Sequence, residues 1–183
     1  MELMKYLGVR HYCRIGSMYG PGPHTRPPVV TGSASNDAFR ERLRQLGVRE
    51  STYEGPTTIL SLVTIAAEQS GIDTVAMMLQ LPAYAQLERD YRGLNAMLEL
   101  LSGLHNLSLD RDAVRQESDR QCAALDDSVR QDPRAQDMVR EMEATYDSEA
   151  AATSREEEPP HLSPELDRFL RDIERRWNEP EAG

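Results

Sequence analysis

The spacing of apolar residues along this chain changes several times, and each change predicts an element. Met1 to Leu7 reads as a helix end closed by Gly8. Val9 to Met18 then alternates in part and is rich in β-prone residues, which predicts a strand. Tyr19 to Pro28 is dense in Gly and Pro and predicts a loop, and Val29 to Gly32 a second short strand. Ser35 or Asn36 is placed to cap a helix through Phe39, Leu43 and Leu46 that ends at Gly47. Gly55-Pro56 marks another helix start, with Ile59, Leu60, Val63, Ala66 and Ala67 on its apolar face and Gly71 at its close. Thr74 to Leu81 is a nearly continuous apolar run before Pro82, the pattern of a strand buried on both faces. With a helix from Leu94 to Leu104, this is a β/α crossover pattern, and it predicts an α/β fold with a parallel sheet covered by helices. A doubly wound sheet needs about five strands, and only two or three are found, so the expectation is a partial sheet.

From His105 onward the pattern is helical only. Val114, Ser118, Cys122, Leu125 and Val129 form a thin stripe. Asp132-Pro133 opens a helix with Ala135, Met138, Val139, Met142 and Tyr146 on one face. Thr153 to His161 has the charge and proline content of a linker. Ser163-Pro164 then starts an amphipathic helix whose Leu166, Phe169, Leu170, Ile173 and Trp177 share a face. The organisation expected is an α/β portion over 1–104, an acidic helical extension over 105–149, a flexible linker over 150–162 and an amphipathic helix over 163–178.

Charge sharpens this division. Lys and Arg number 21 against 31 Asp and Glu, a net charge of −10. Residues 1–104 carry ten of each sign, so the whole excess lies in 105–183. An acidic chain without a basic footprint argues against nucleic acid and against anionic membrane surfaces. No segment approaches the roughly 20 apolar residues of a membrane helix, and the N-terminus lacks the apolar core of a signal peptide. Cys13 and Cys122 are the only cysteines, too few for a disulfide framework, which suits a reducing cytoplasm.

Candidate chemistry is sparse. Gly16-Ser17-Met18-Tyr19-Gly20 does not centre its serine as a nucleophile elbow does. There is no Gly-Lys-Ser/Thr, and Lys5 is the sole lysine. His11 and Cys13 alternate on a strand, but two ligands without further support make a poor zinc site, so neither metal nor cofactor is expected. Cys122 reads as a small core residue.

His24-Thr25-Arg26 lies in a loop after a strand, where open α/β sheets bind ligands. Arg26 has the fork to grip phosphate or carboxylate and Thr25 a hydroxyl donor; the alternative is an Arg that braces backbone carbonyls or an acidic neighbour such as Glu54. Glu54, Gly55 and Thr57 stand at a helix start, whose N–H groups form an anion site, or else Glu54 or a threonine caps that helix. The face made by Phe169, Leu170, Ile173 and Trp177 needs cover, from its own domain, another subunit or a protein partner.

Leu7-Gly8-Val9-Arg10, Ile15-Gly16-Ser17-Met18, Pro23-His24-Thr25-Arg26-Pro27, Val30-Thr31-Gly32-Ser33-Ala34-Ser35, and Tyr53-Glu54-Gly55-Pro56-Thr57 followed by Gly71-Ile72 occur in that order. In this the chain resembles the PAC2 (proteasome assembly chaperone-like) family, as do Met138-Val139-Arg140-Glu141-Met142-Glu143 and the helix around Phe169-Leu170, which look like bacterial members. The resemblance implies an α/β fold similar to the nucleoside phosphorylase type, with the family's N-terminal strands missing, and self-association, as trimers among the forms expected. It implies a non-catalytic protein-binding or assembly role, with an unknown protein partner. The alternative it carries is a small-molecule or phosphate-binding protein related to nucleoside phosphorylases. The ending Asn178 to Gly183 lacks the hydrophobic-Tyr-any-residue pattern by which some proteasome partners dock, so docking by this tail is not expected.

Overall fold

Ten residues from His11 to Gly20 (β1) and ten from Asp73 to Pro82 (β4) run parallel in continuous register, His11 opposite Asp73 and Gly20 opposite Pro82. The computed structural model describes residues 1–51 and 58–157, with side chains to residue 152. Between the two long strands come Val30–Ala34 (β2), a helix Asp37–Gln45 (α2), the two-residue strand Arg49–Glu50 (β3) and a helix Ile59–Gln69 (α3). The sheet order is β1-β4-β2-β3. A short helix Glu2–Tyr6 (α1) precedes it, and helices Tyr91–His105 (α4), Asp112–Gln131 (α5) and Pro133–Glu157 (α6) follow.

β2 pairs antiparallel with β4, while β1 with β4 and β2 with β3 are parallel. The sheet is therefore mixed, not wholly parallel. The long Gly/Pro loop after β1 turns the chain back, so β2 enters beside β4 against its direction. The local signals for strands carry no direction, which is why the sequence did not show this.

The core lies on one face. Val75, Met77 and Leu79 alternate along β4 and meet Val30, Leu43, Val48, Met97, Leu100 and Leu104, so α2 and α4 cover this side. The other face is less protected than a doubly buried strand requires. α3 covers its start, where the Thr74 hydroxyl donates to Glu68 at 2.5 Å, but Met78 is 37% exposed. The apolar run of β4 thus belongs to a strand buried fully on one side only.

Local capping follows sequence chemistry. The Asn36 side chain accepts from the Phe39 N–H at 2.8 Å, whereas the Ser35 hydroxyl accepts from the Thr74 N–H. Gly47 and Gly71 adopt positive φ (75° each) after α2 and α3, a conformation that costs glycine nothing. α3 begins at Ile59, with Thr58 as its cap accepting from the Ser61 N–H. The expected start at Gly55-Pro56 lies outside the described residues. α6 extends to Glu157 and so occupies the first part of the linker expected over 150–162. The rest of that linker and the helix expected over 163–178 also lie outside the described residues.

Met1–Tyr146 form one compact unit, and the chain from Asp147 belongs to a second. The acidic helices that composition sets apart are thus packed with the α/β portion as far as Tyr146; Val139 on α6 is buried.

His11, Phe39 and His105 cluster where β1, α2 and α4 meet. The His11 ring stands edge-on to Phe39 at 5.1 Å and stacks on His105 at 6.2 Å. Burial, and then the charge of His11, lowers the His105 pKa from its ordinary 6.5. A histidine with a depressed folded pKa stabilises the fold above its unfolded pKa and loses that contribution as pH falls. Thermal stability is therefore expected to decline as pH falls below 6.5. His105→Gln is expected to flatten this part of the melting-temperature profile; an unchanged profile would remove His105 as its source.

Candidate functional site

The loop after β1 is fastened from several sides. Pro23 is fully buried, and its carbonyl accepts from the Arg92 guanidinium of α4 at 3.3 Å. Next to it His24 is only 4% exposed. Its backbone N–H donates to the Tyr84 hydroxyl oxygen at 2.7 Å, and Tyr84 hydrogen-bonds the ring Nδ1 as well. Nε2 reaches the Asp126 carboxylate of α5 at 3.1 Å. A neutral imidazole with its proton on Nε2 satisfies all three contacts: the phenol donates to Nδ1 while its oxygen accepts the backbone N–H, and Nε2–H donates to Asp126.

Thr25 and Arg26 turn to α6. The Thr25 hydroxyl donates to Glu143 Oε1 at 2.5 Å and Arg26 Nη1 to the same oxygen at 3.1 Å. The three residues read from sequence as an anion cradle are therefore brought together, but the carboxylates they face are the chain's own. Among the described residues the acid that braces Arg26 is Glu143, 117 positions away. Glu54, Gly55 and Thr57, and likewise Phe169, Leu170, Ile173 and Trp177, lie outside the described residues.

Hydroxyl, imidazole and carboxylate stand here in the order of a catalytic relay; nothing in the sequence singled out Tyr84 or Asp126, and Glu143 figured only at the end of the segment Met138 to Glu143. The one local signal for Asp126 and Glu143 is charge, which they share with the solvated acidic residues around them. The arrangement acts as a fastener. The Tyr84 oxygen is held by the backbone of the histidine that would activate it, and burial raises its phenol pKa above the ordinary 10.0. A phenol of that pKa is a poor nucleophile near neutrality.

Two hollows flank this region. A groove of about 340 Å³ runs between β1 and the start of α4, lined by Ile15, Ser17, Leu79, Leu81 and Leu94 among others. A larger one of about 550 Å³ lies beside β3 and includes Arg49 and Tyr146, with the Arg49 guanidinium 5.9 Å from the Tyr146 ring centroid. His11 and Cys13 do not act as a pair. His11 lies by Asp73 at 3.8 Å and Cys13 packs on the core, where burial raises its thiol pKa. Cys122 is half-buried, and burial raises its thiol too. Among the described residues no group of three or more metal-ligating side chains forms.

The exposed apolar surface is more telling than the hollows. α3 buries Ala67 but presents Ile59, Leu60, Leu62 and Ile65 to solvent. Met18 and Met78 are exposed on the same side of the sheet as this helix. Single exposed apolar residues are ordinary; four on one helix, beside the exposed Met18 and Met78, are not.

The chain is thus an α/β protein with a mixed sheet, helices fastened to it through the post-β1 loop, and exposed apolar side chains along α3. The chain belongs to the PAC2 family, whose model matches residues 1–129. A Mycobacterium tuberculosis protein of unknown function is similar in structure, with a TM-score of 0.75 and 23% identity over 85% of this chain and 52% of that one. A proteasome-assembly chaperone homologue from the same organism gives 0.64 and 23%, over 75% and 57%. A PAC2 family protein from Streptomyces avermitilis gives 0.60 and 25%, over 69% and 52%. The chain thus spans little more than half the length of these relatives. No curated protein matches it. Among the described residues no helix is long and apolar enough to cross a membrane.

Proposed function

We propose that this chain is a non-catalytic, protein-binding member of the PAC2 family that self-associates and assists assembly in the cytoplasm, as its chaperone-homologue relative suggests. The observation that carries this reading is the apolar surface of α3 with Ile59, Leu60, Leu62 and Ile65 exposed. The amphipathic segment with Phe169, Leu170, Ile173 and Trp177 is a second partner-binding element in this reading. Anion binding by His24, Thr25 and Arg26 is less well supported, because a phosphate would have to displace Glu143; phosphate is expected to leave the melting temperature unchanged.

The test mixes the full chain with proteasome subunits encoded in the same genome and follows complex formation by light scattering. Leu62→Asp with Ile65→Asp is expected to weaken the complex at least tenfold, about 1.4 kcal/mol, without lowering the melting temperature. Equal binding by the double variant, or no complex with the wild type, would overturn the assignment.

A further inference from the structure

α5 and α6 are held to the rest of the compact unit in different ways. α5 packs along α4. Gln121 ties it there, its side-chain oxygen accepting from the Tyr91 N–H at 2.9 Å and its nitrogen donating to the Arg89 carbonyl at 2.7 Å. Asp126 adds the link to His24. Among the described residues no helix or strand packs along α6 in the same way, and Val139 is its one buried residue. Met138, Met142 and Tyr146, on the apolar face of this helix, are only half-buried.

The polar grip on α6 lies toward its far end. Glu143 takes both the Thr25 hydroxyl and Arg26 Nη1, and the Arg26 and Glu143 side chains remain 32% and 25% exposed. One turn on, Tyr146 stands beside Arg49 and forms part of the wall of the 550 Å³ hollow. Pro27 and Pro28, next in the chain after Arg26, line the same hollow with Leu46, Val48 and Leu100. The near end is built to turn. A single residue, Asp132, separates the two helices, and its backbone is extended, as a residue before proline prefers. Pro133 opens α6 where its missing N–H costs nothing. The Asp132 carboxylate accepts from the Arg134 N–H at 2.9 Å, so the first turn of α6 is capped at the joint itself.

We propose that α6, as far as Tyr146, is a strap that swings about Asp132–Pro133 as an intact helix and opens while α5 and the sheet stay folded. Opening takes Glu143 from Thr25 and Arg26 and Tyr146 from the hollow in one movement. The latch and the apolar wall of Leu46, Val48 and Leu100 are thus uncovered together. Local openings are drawn from elements with few buried apolar contacts, and α6 has fewer of these than α5 or β4. The ion pair that closes the strap is partly exposed, so it is weak and screened by salt. Ionic strength is therefore the lever on the strap, and the inference stands apart from the self-association and assembly reading above.

The experiment measures thiol labelling of the full chain in two single-cysteine variants, both carrying Cys13→Ser and Cys122→Ser. One is Val139→Cys on α6 and the other Val75→Cys in β4, positions where valine is 5% and 3% exposed. Labelling is expected to be roughly tenfold faster at position 139 than at 75, because the first needs only the strap to open. It is expected to quicken further at 139 in about 1 M sodium chloride, where charges are screened beyond about 3 Å. Adding Glu143→Ala is expected to speed labelling at 139 about tenfold, to abolish its response to salt and to leave position 75 unchanged. Equal rates at the two positions, a rate at 139 that salt or Glu143→Ala leaves unaltered, or an equal rise at both would overturn the strap. Should a cysteine variant fail to fold, hydroxyl-radical footprinting of the unaltered chain decides instead. Salt is then expected to raise oxidation of Met138 and Met142 but not of Met77, which is 2% exposed; oxidation of the three that does not diverge with salt overturns the proposal.

Discussion

Gly32→Val is expected to cost about 3 kcal/mol of stability, within the upper range for overpacking a filled core. A Cβ at position 32 would lie 2.8 Å from the Ala76 carbonyl oxygen and 2.9 Å from Val48 Cγ1. The first is backbone in the central strand β4, and the second is a core side chain between β3 and α2. Neither can yield without parting β2 from β4 or lifting β3, in an interior with no slack to absorb the added atoms. A drop of roughly 10 °C in the thermal midpoint follows for a chain of this size. Ser33→Val, one residue on and pointing to the exposed side of the same strand, is the control and is expected to shift stability by less than about 0.5 kcal/mol. Equal midpoints for the two variants would mean that β2 does not approach β4 as described.

His24→Ala is expected to cost a similar amount, about 3 kcal/mol, by a different route. It empties a buried ring-sized space and removes the links from Tyr84 Oη and Asp126 Oδ1 to one imidazole. Because those links tie the post-β1 loop to α5, the loss is also local: amide exchange is expected to quicken through residues 112–146 more than in β4. Asp126→Asn is expected to cost only about 1 kcal/mol, since that carboxylate is half exposed and the amide keeps an acceptor for Nε2–H. Uniform loss of exchange protection across the sheet and the helices would show that His24 fills the core without fastening α5.

These two sites differ in how far they were legible. A short strand over Val29 to Gly32, observed at Val30–Ala34, followed from β-prone residues beside a Gly/Pro loop, but not that its glycine abuts a carbonyl 44 positions later. His24-Thr25-Arg26 stood out as a polar cluster in a loop, and the loop position was correct. Their partners were not legible, because Asp126 and Glu143 sit on helices whose acidic residues are otherwise solvated, and nothing local distinguishes an inward carboxylate from its outward neighbours.

By itself, the sequence determined the helices and the longer strands in their order, a cap at Ser35 or Asn36, the turns at Gly47 and Gly71, and membership of the PAC2 family. Those depend on residues within a few positions of one another, or on short motifs kept in order. Only the tertiary structure decided that β2 runs against β4, that β4 is buried on one face and partly open on the other, and that Glu143 holds Arg26. Each is a pairing between segments distant in sequence, set by chain direction and packing, on which hydrophobic periodicity is silent.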